Sequence, residues 1–245
     1  MSKDFLSLFQ NEKPIIGMIH LKGKDDEDVF ERAKKEIAIY IEHGVDGIIL
    51  ETYFGNYYQL ERILEYVEKS NLPVVYGVNC LNVDHLGFHL ANKYHAQFVQ
   101  IDSVVGHVKE RDEPSLHEFF KIERENSDAC LIGGVRFKYQ PVLSSHTVEE
   151  DLKTAMTRCD GICVTGEATG ENTSIEKIKQ FKDTVGDFPV IVAAGITKET
   201  LEEQMSIADA AIIGSYFKDT RIDTGDVCAE HVKEITDIIK RMRGK

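Results

Sequence analysis

The stretch DVFERAKKEIAIYIEHGVDGIILE (28–51) decides the fold. Val29, Ala33, Ile37 and Tyr40 or Ile41 recur at three-to-four-residue steps, which predicts a helix from about Asp28 to His43 with one apolar face. Gly44 is its expected stop, because glycine takes the left-handed conformation without a Cβ clash. DGIILE (46–51) follows as a near-continuous apolar run, the signature of a parallel strand covered on both faces. A similar run, IIGMIH (15–20), precedes the helix, so the segment reads as strand, helix, strand.

The same alternation continues along the chain. Further strands are expected at VVYGVN (74–79), QFVQI (97–101), CLIGGVRF (130–137), GICVT (161–165), PVIVAA (189–194) and AAIIG (210–214). Helices are expected over roughly Tyr57–Lys69, Asp84–Tyr94, Ser115–Asn126, Val148–Arg158, Ile175–Thr184, Lys198–Ser206 and Val227–Met242. Thr147 with Glu150, and Thr173 with Glu176, have capping-box spacing. Pro73 and Pro189 stand where a helix has ended and a strand must enter. Eight such units predict an α/β protein, a single (β/α)8 barrel over residues 1–245 with a short N-terminal extension, 1–13. A doubly wound open sheet is the competing arrangement. No Pro/Ser-rich linker divides the chain.

Composition narrows the function. Against 29 Lys+Arg stand 42 Asp+Glu, a formal net charge of −13, which repels nucleic acid and anionic membrane surfaces. A small anionic ligand is still admissible, because backbone N–H groups override net charge inside a pocket. The cysteines Cys80, Cys130, Cys159, Cys163 and Cys228 form no C-x-x-C pair and read as buried reduced thiols rather than a zinc site. The start lacks an apolar leader segment and no run reaches 18 apolar residues, so a soluble, cytoplasmic protein without membrane insertion is expected.

In such a barrel the active site forms at the C-terminal strand ends and the loops beyond them. Those positions carry His20, Glu51, Asn79, Asp102, Arg136 with Lys138, Thr165, Gly195 and Gly214. Gly195 in AAGITKET, and Gly214 with Ser215 in AIIGSYFK, follow the last two strands, where barrels often hold phosphate. Glycine lets phosphate approach the backbone, and the N–H groups of a short helix start supply donors; alternatively both glycines only permit tight turns. Glu51, Asp102 and His20 suit proton removal and return. They would also serve as ligands of a divalent cation, or as solvated strand caps; no cofactor is otherwise expected. Lys138 reads as a Schiff-base lysine, as a cation opposing substrate charge with Arg136, or as a surface lysine. VTGEATGENTS (164–174), with Gly166, reads as a polar binding loop or a merely flexible one. His107, His117, His146 and His231 read as surface residues.

IIGMIHL (15–21), EHGVDGIILETYFGN (42–56), YGVNCLNVD (76–84), CDGICVTGEATG (159–170), AAGIT (193–197) and IIGSYFK (212–218) together resemble the BtpA/SgcQ family of TIM-barrel proteins, from about Pro14 to Lys218. The resemblance implies a barrel of the ribulose-phosphate-binding type, with phosphate at the Gly195 and Gly214 loops. The matching mouth positions are His20, Glu51, Asn79, Asp84, Lys138 and Thr165. One branch of the family is named for photosystem I biogenesis, and another sits among sugar-metabolism proteins. The chain departs from the family at KGKDDED (22–28), where a loop like PLPGSP is usual, and at Asp102, where asparagine is more frequent. In the fifth strand a pattern like ADVxVKHA has become GGVRFKYQ (133–140), so Gly134 and Tyr139 replace an acid and a histidine.

The expected function is an enzyme isomerising a small phosphorylated sugar or related metabolite by proton transfer. A phosphoribosylanthranilate-isomerase-like reaction is one version, although the first strand lacks a KxCG-type motif. A non-catalytic assembly or regulatory protein, and a lyase acting through Lys138, are the alternatives. Related barrels associate through outer helices, so a homodimer is the starting expectation.

Overall fold

Apolar runs too continuous to face water on either side must be covered on both, and the chain does this by closing its sheet. In the computed structural model, which describes residues 3–105 and 112–244, eight parallel strands form a closed barrel in sequence order. The units are β1 (Ile15–His20), α1 (Asp26–Glu42), β2 (Gly47–Glu51), α2 (Tyr57–Ser70), β3 (Val75–Asn79), α3 (Asp84–Lys93), β4 (Phe98–Ile101) and α4 (Glu113–Glu125). The second half comprises β5 (Cys130–Gly134), α5 (Val148–Arg158), β6 (Gly161–Val164), α6 (Ile175–Val185), β7 (Val190–Val192), α7 (Leu201–Ile207), β8 (Ala210–Ile213) and α8 (Ala229–Met242). Closure is direct: Ile16 of β1 pairs with Ile212 of β8, which excludes the open doubly wound sheet.

Four repeated clamps at the N-terminal ends of the strands set the register. The residue just before each even-numbered strand accepts a hydrogen bond from a backbone N–H at the start of the preceding odd strand. These are Asp46 from Ile15, Gln97 from Tyr76, Asp160 from Leu131 and Asp209 from Val190, each at 2.8 Å. A buried carboxylate needs a compensating cation. Arg243 supplies it for Asp46, Arg124 for Asp160 and Lys182 for Asp209. The aspartate of the GVDG stretch thus holds strands together on the face opposite the mouth. The same face is plugged by Phe5 and Phe9, whose rings stack edge-on with each other, Phe5 also stacking edge-on with Phe98. The N-terminal extension is therefore part of the barrel core.

Some boundaries differ from expectation. β5 ends at Gly134, three residues short of the expected Phe137, because Arg136 turns into the left-handed region at φ 48°. The box at Thr147 and Glu150 forms, whereas α6 is capped by Ser174. Thr173 is instead fully buried and donates to the Ala194 carbonyl. Gly44 does adopt positive φ, 77°. α7 and α8 start two or three residues late: Thr200 stands at the N-cap of the one with its hydroxyl accepting from the preceding Thr197 N–H, and Val227 is engaged in an antiparallel bridge to Lys218 before the other. Cys80, Cys130, Cys159 and Cys163 are buried free thiols, and Cys228 is partly buried. Among the described residues no helix is long and apolar enough to cross a membrane.

Candidate active site

Strand alternation carries the interior face upward from apolar to polar residues: Met18 to His20, Ile49 to Glu51, Phe98 to Gln100 to Asp102, Cys163 to Thr165. Lateral register then sets the row across three strands, with His20 opposite Glu51 and Glu51 opposite Asn79. The Asn79 amide donates to Glu51 Oε1 at 3.1 Å and to Asp102 Oδ1 at 3.4 Å, linking the two carboxyls. His20 Nε2 lies 3.4 Å from Glu51 Oε2, and its Nδ1 lies 3.3 Å from the Asp223 carbonyl. Tyr53 stacks edge-on against His20 and donates its hydroxyl to Asp223 Oδ2 at 2.9 Å.

Burial governs the charges. It pushes the Glu51 carboxyl up to about 8, the Asp102 charge reinforces the shift, and Lys138 opposes it. Asp102 is also raised by burial, with the Asn79 hydrogen bond and Lys138 pulling the other way. His20 is pushed down to about 3 by burial, helped by the positive charge of Lys218. At neutral pH the His20–Glu51 contact is thus a hydrogen bond between a neutral imidazole and a protonated carboxyl, not an ion pair. Nδ1–H donates to the Asp223 carbonyl, which leaves Nε2 to accept from Glu51. Glu51 is thereby held protonated at neutral pH beside a second carboxyl, Asp102, to which Asn79 ties it.

These groups open into a cavity of about 760 Å³ at the C-terminal face, which Gly195, Gly214 and Ser215 also line. The two glycines differ in kind. Gly195 has φ 69°, and an added Cβ would lie 1.9 Å from the Glu171 carbonyl oxygen, so chain packing alone requires glycine there. Gly214 has a negative φ, and its Cβ would meet Met18 and His20 at ordinary distances of 3.4 and 3.8 Å. Packing places no such demand at Gly214. The helix expected beyond it is a single 3-10 turn, Ser215–Phe217, too short for a macrodipole but with its first N–H groups ahead of its own hydrogen bonds.

The other expected residues are placed as follows. Lys138 lines the cavity beside the Phe137 ring. Arg136 points away, donating to Asp151 Oδ2 at 2.9 Å and to the His146 carbonyl at 2.7 Å; its left-handed backbone turns Phe137 inward instead. The Phe137 ring occupies the space that any side chain at Gly134 would need. Thr165 is buried beneath the mouth and accepts from the Lys138 N–H at 2.8 Å. Gly166 packs against the Asn172 carbonyl, and the cavity is reached instead by Thr169 and Gly170 of the same loop. Asp84 opens α3 and is not among the cavity-lining residues. His117 and His146 are exposed, but His231 is half-buried with Nδ1 2.8 Å from the Lys218 carbonyl. His107 lies outside the described residues. Among those described, no three His, Cys, Asp or Glu side chains are disposed to hold a metal ion, so the divalent-cation alternative finds no donor set.

Sequence reading missed several lining residues, among them Tyr53, Gln100, Lys198, Tyr216 and Arg221. Gln100 was recoverable, because it alternates with Phe98 and Asp102 on β4. The rest converge only through loop folding.

A sequence model described as the BtpA family matches residues 11–241. The photosystem I biogenesis protein BtpA of Synechocystis is 27% identical, over 88% of this chain and 84% of that protein. The putative sgc region protein SgcQ of Escherichia coli is 22% identical over 95% of this chain and 96% of its own. Among solved structures, phosphoribosyl anthranilate isomerase from Thermus thermophilus superposes with a TM-score of 0.65 at 14% identity, covering 94% of this chain and 99% of that one. At that identity the likeness shows the fold.

Proposed function

The chain belongs to the BtpA family, and on that premise we propose that it is an enzyme isomerising a small phosphorylated sugar-derived metabolite by proton transfer beside a carbonyl. One observation carries this reading: in one cavity, a carboxyl held protonated near neutral pH is tied through Asn79 to a second carboxyl. That is the pairing an acid and a base need to act together. Asp102 takes the proton from the carbon beside the carbonyl, and the C–H electron pair moves into the developing enol. Glu51 gives its proton to the carbonyl oxygen; the proton on Asp102 then returns to the former carbonyl carbon, while the hydroxyl on the other carbon gives its proton back to Glu51 and becomes the product carbonyl. Lys138, on the cavity wall, stabilises negative charge at that oxygen. His20, kept neutral, fixes the Glu51 carboxyl, and Asn79 fixes the spacing of the pair. Gly214 and Ser215 hold the phosphate; a glycine that packing does not demand favours close approach by a ligand. The test is turnover of a phosphorylated substrate found by ligand screening. Glu51→Gln and Asp102→Asn should each lower kcat by more than about a hundredfold. Less than a tenfold loss in both refutes the assignment.

A second reading is favoured by β5, whose last inward position is a glycine, Gly134, capped by Phe137 rather than a polar group. On that reading the barrel binds a phosphorylated ligand without turnover and serves assembly or regulation. Ligand-dependent product formation would exclude it.

A further inference from the structure

Lys198 and Arg221 reach the cavity from two loops, one after β7 and one after β8. Both are tied to one carboxylate. Lys198 Nζ lies 3.3 Å from Glu234 Oε1, Arg221 Nη2 lies 3.3 Å from Glu234 Oε2, and the Tyr216 hydroxyl donates to that Oε2 at 3.1 Å. Arg221 is held by more than charge. Its guanidinium lies 3.7 Å over the Tyr216 ring, and Nη1 donates to the Tyr216 carbonyl at 3.4 Å. Its backbone sits at φ 61°, a left-handed conformation that costs an arginine energy. The pairs themselves are weakly sheltered: the side chains of Lys198, Arg221 and Glu234 are 46%, 36% and 38% exposed. Water screens such pairs, so they hold the cations in place without adding much stability.

Two cations and an aromatic platform on residues that line a cavity, held by one partly exposed carboxylate beside it, suit an anion that outcompetes that carboxylate. We propose that Lys198 and Arg221 are the side-chain cations of the phosphate site, and that Glu234 is its built-in competitor, giving them up to a phosphomonoester dianion. This rests on the phosphate reading above and adds to it the ligand's charge state and its rival. The dianion has the advantage because it carries twice the charge of the carboxylate. Its three terminal oxygens can engage the planar Arg221 fork and the Ser215 and Tyr216 N–H groups at once. A phosphate monoanion loses that advantage, so binding strengthens as the second phosphate proton leaves near pH 6.

The test is calorimetric titration of the full chain with inorganic phosphate at low ionic strength, with thermal unfolding confirming that each variant is folded. Removing a rival negative charge in Glu234→Gln should tighten phosphate binding by about three- to tenfold. Arg221→Met should weaken it by about tenfold or more, and Arg221→Lys, which restores charge but not the fork, should fall between. Gly214→Asp should abolish binding. If Arg221→Met and Lys198→Met bind like the parent while Gly214→Asp does not bind, the cation pair is refuted and the phosphate reading stands. If Glu234→Gln weakens binding, Glu234 positions the cations rather than competing for them, and the proposal fails in that half. If the parent itself takes up no phosphate at tens of millimolar, the phosphate reading falls and takes the proposal with it.

Discussion

Replacing Glu51 with glutamine should change how stability depends on pH, and the direction can be worked out. The amide preserves the local bonding: its oxygen accepts from Asn79, and its N–H₂ donates to His20 Nε2 as the protonated carboxyl does. What it removes is a proton. In the folded parent the Glu51 carboxyl titrates at about 8, against an ordinary value of 4.5. Between those values the folded state holds a proton that the unfolded chain lacks, so stability is full below pH 4.5 and is lost as pH rises through 8. The loss runs at about 1.4 kcal/mol per pH unit, a ceiling of about 4 kcal/mol between pH 5 and 8. His20 works the other way: lowered from 6.5 to about 3, it contributes stability that is full above 6.5 and is lost as pH falls towards 3. From these two groups, the parent should be nearly level between pH 4.5 and 6.5, where their slopes cancel, and should weaken above 6.5. Glu51→Gln should instead gain stability up to pH 6.5 and stay level beyond it. Urea unfolding of both proteins at pH 5, 6.5 and 8 measures the difference. Parallel profiles, with a stability difference independent of pH, would refute the claim that Glu51 enters the neutral range protonated.

Two further substitutions test packing at the same face. Gly195→Ala should destabilise by more than about 2 kcal/mol, from the left-handed backbone and the clash with Glu171. Gly214→Ala should stay within about 1 kcal/mol of the parent; equal costs in chemical denaturation would show that the two loops are not packed as described. Lys218→Met removes the nearer cation from Glu36, which lies 3.0 Å from the lysine with both side chains buried and keeps Arg32 at 3.5 Å, and should cost about 2–3 kcal/mol. Adding Glu36→Gln should recover much of that loss, and strict additivity in the double variant would show that the two do not act as a pair.

Most of the architecture was readable because its causes are local. Runs such as IIGMIH and DGIILE cannot be solvated on either face, and the helix period between them fixes eight repeats. The row His20, Glu51, Asn79 follows from strand ends plus parallel register, and so was legible as well. What failed to show was non-local or conformational. Nothing in GGVRFKYQ announces that Arg136 will take a left-handed turn, and that one dihedral sends its side chain to Asp151 and puts Phe137 inside. Phe5 and Phe9 fell in what read only as a short N-terminal extension, because the hole they fill exists only once the barrel has closed. Asp46, Gln97, Asp160 and Asp209 escaped notice as a repeat because glutamine stands in for aspartate once and the spacing between them is uneven. Lys198, Tyr216, Arg221 and Glu234 meet from two loops and a helix, a convergence that no sequence spacing encodes.

The most direct test of the account is thermal unfolding of the parent and Gly214→Asp with sugar phosphates, the same sugars without phosphate, and inorganic phosphate. A ligand at about a hundred times Kd adds roughly 2.7 kcal/mol, which for a chain of this size raises Tm by about 5–10 °C. The account predicts that rise with phosphorylated sugars, none with the bare sugars, and none in Gly214→Asp, whose Cβ finds room but whose charge repels the ligand. An equal rise with phosphorylated and bare sugars, or a rise that survives Gly214→Asp, would contradict it.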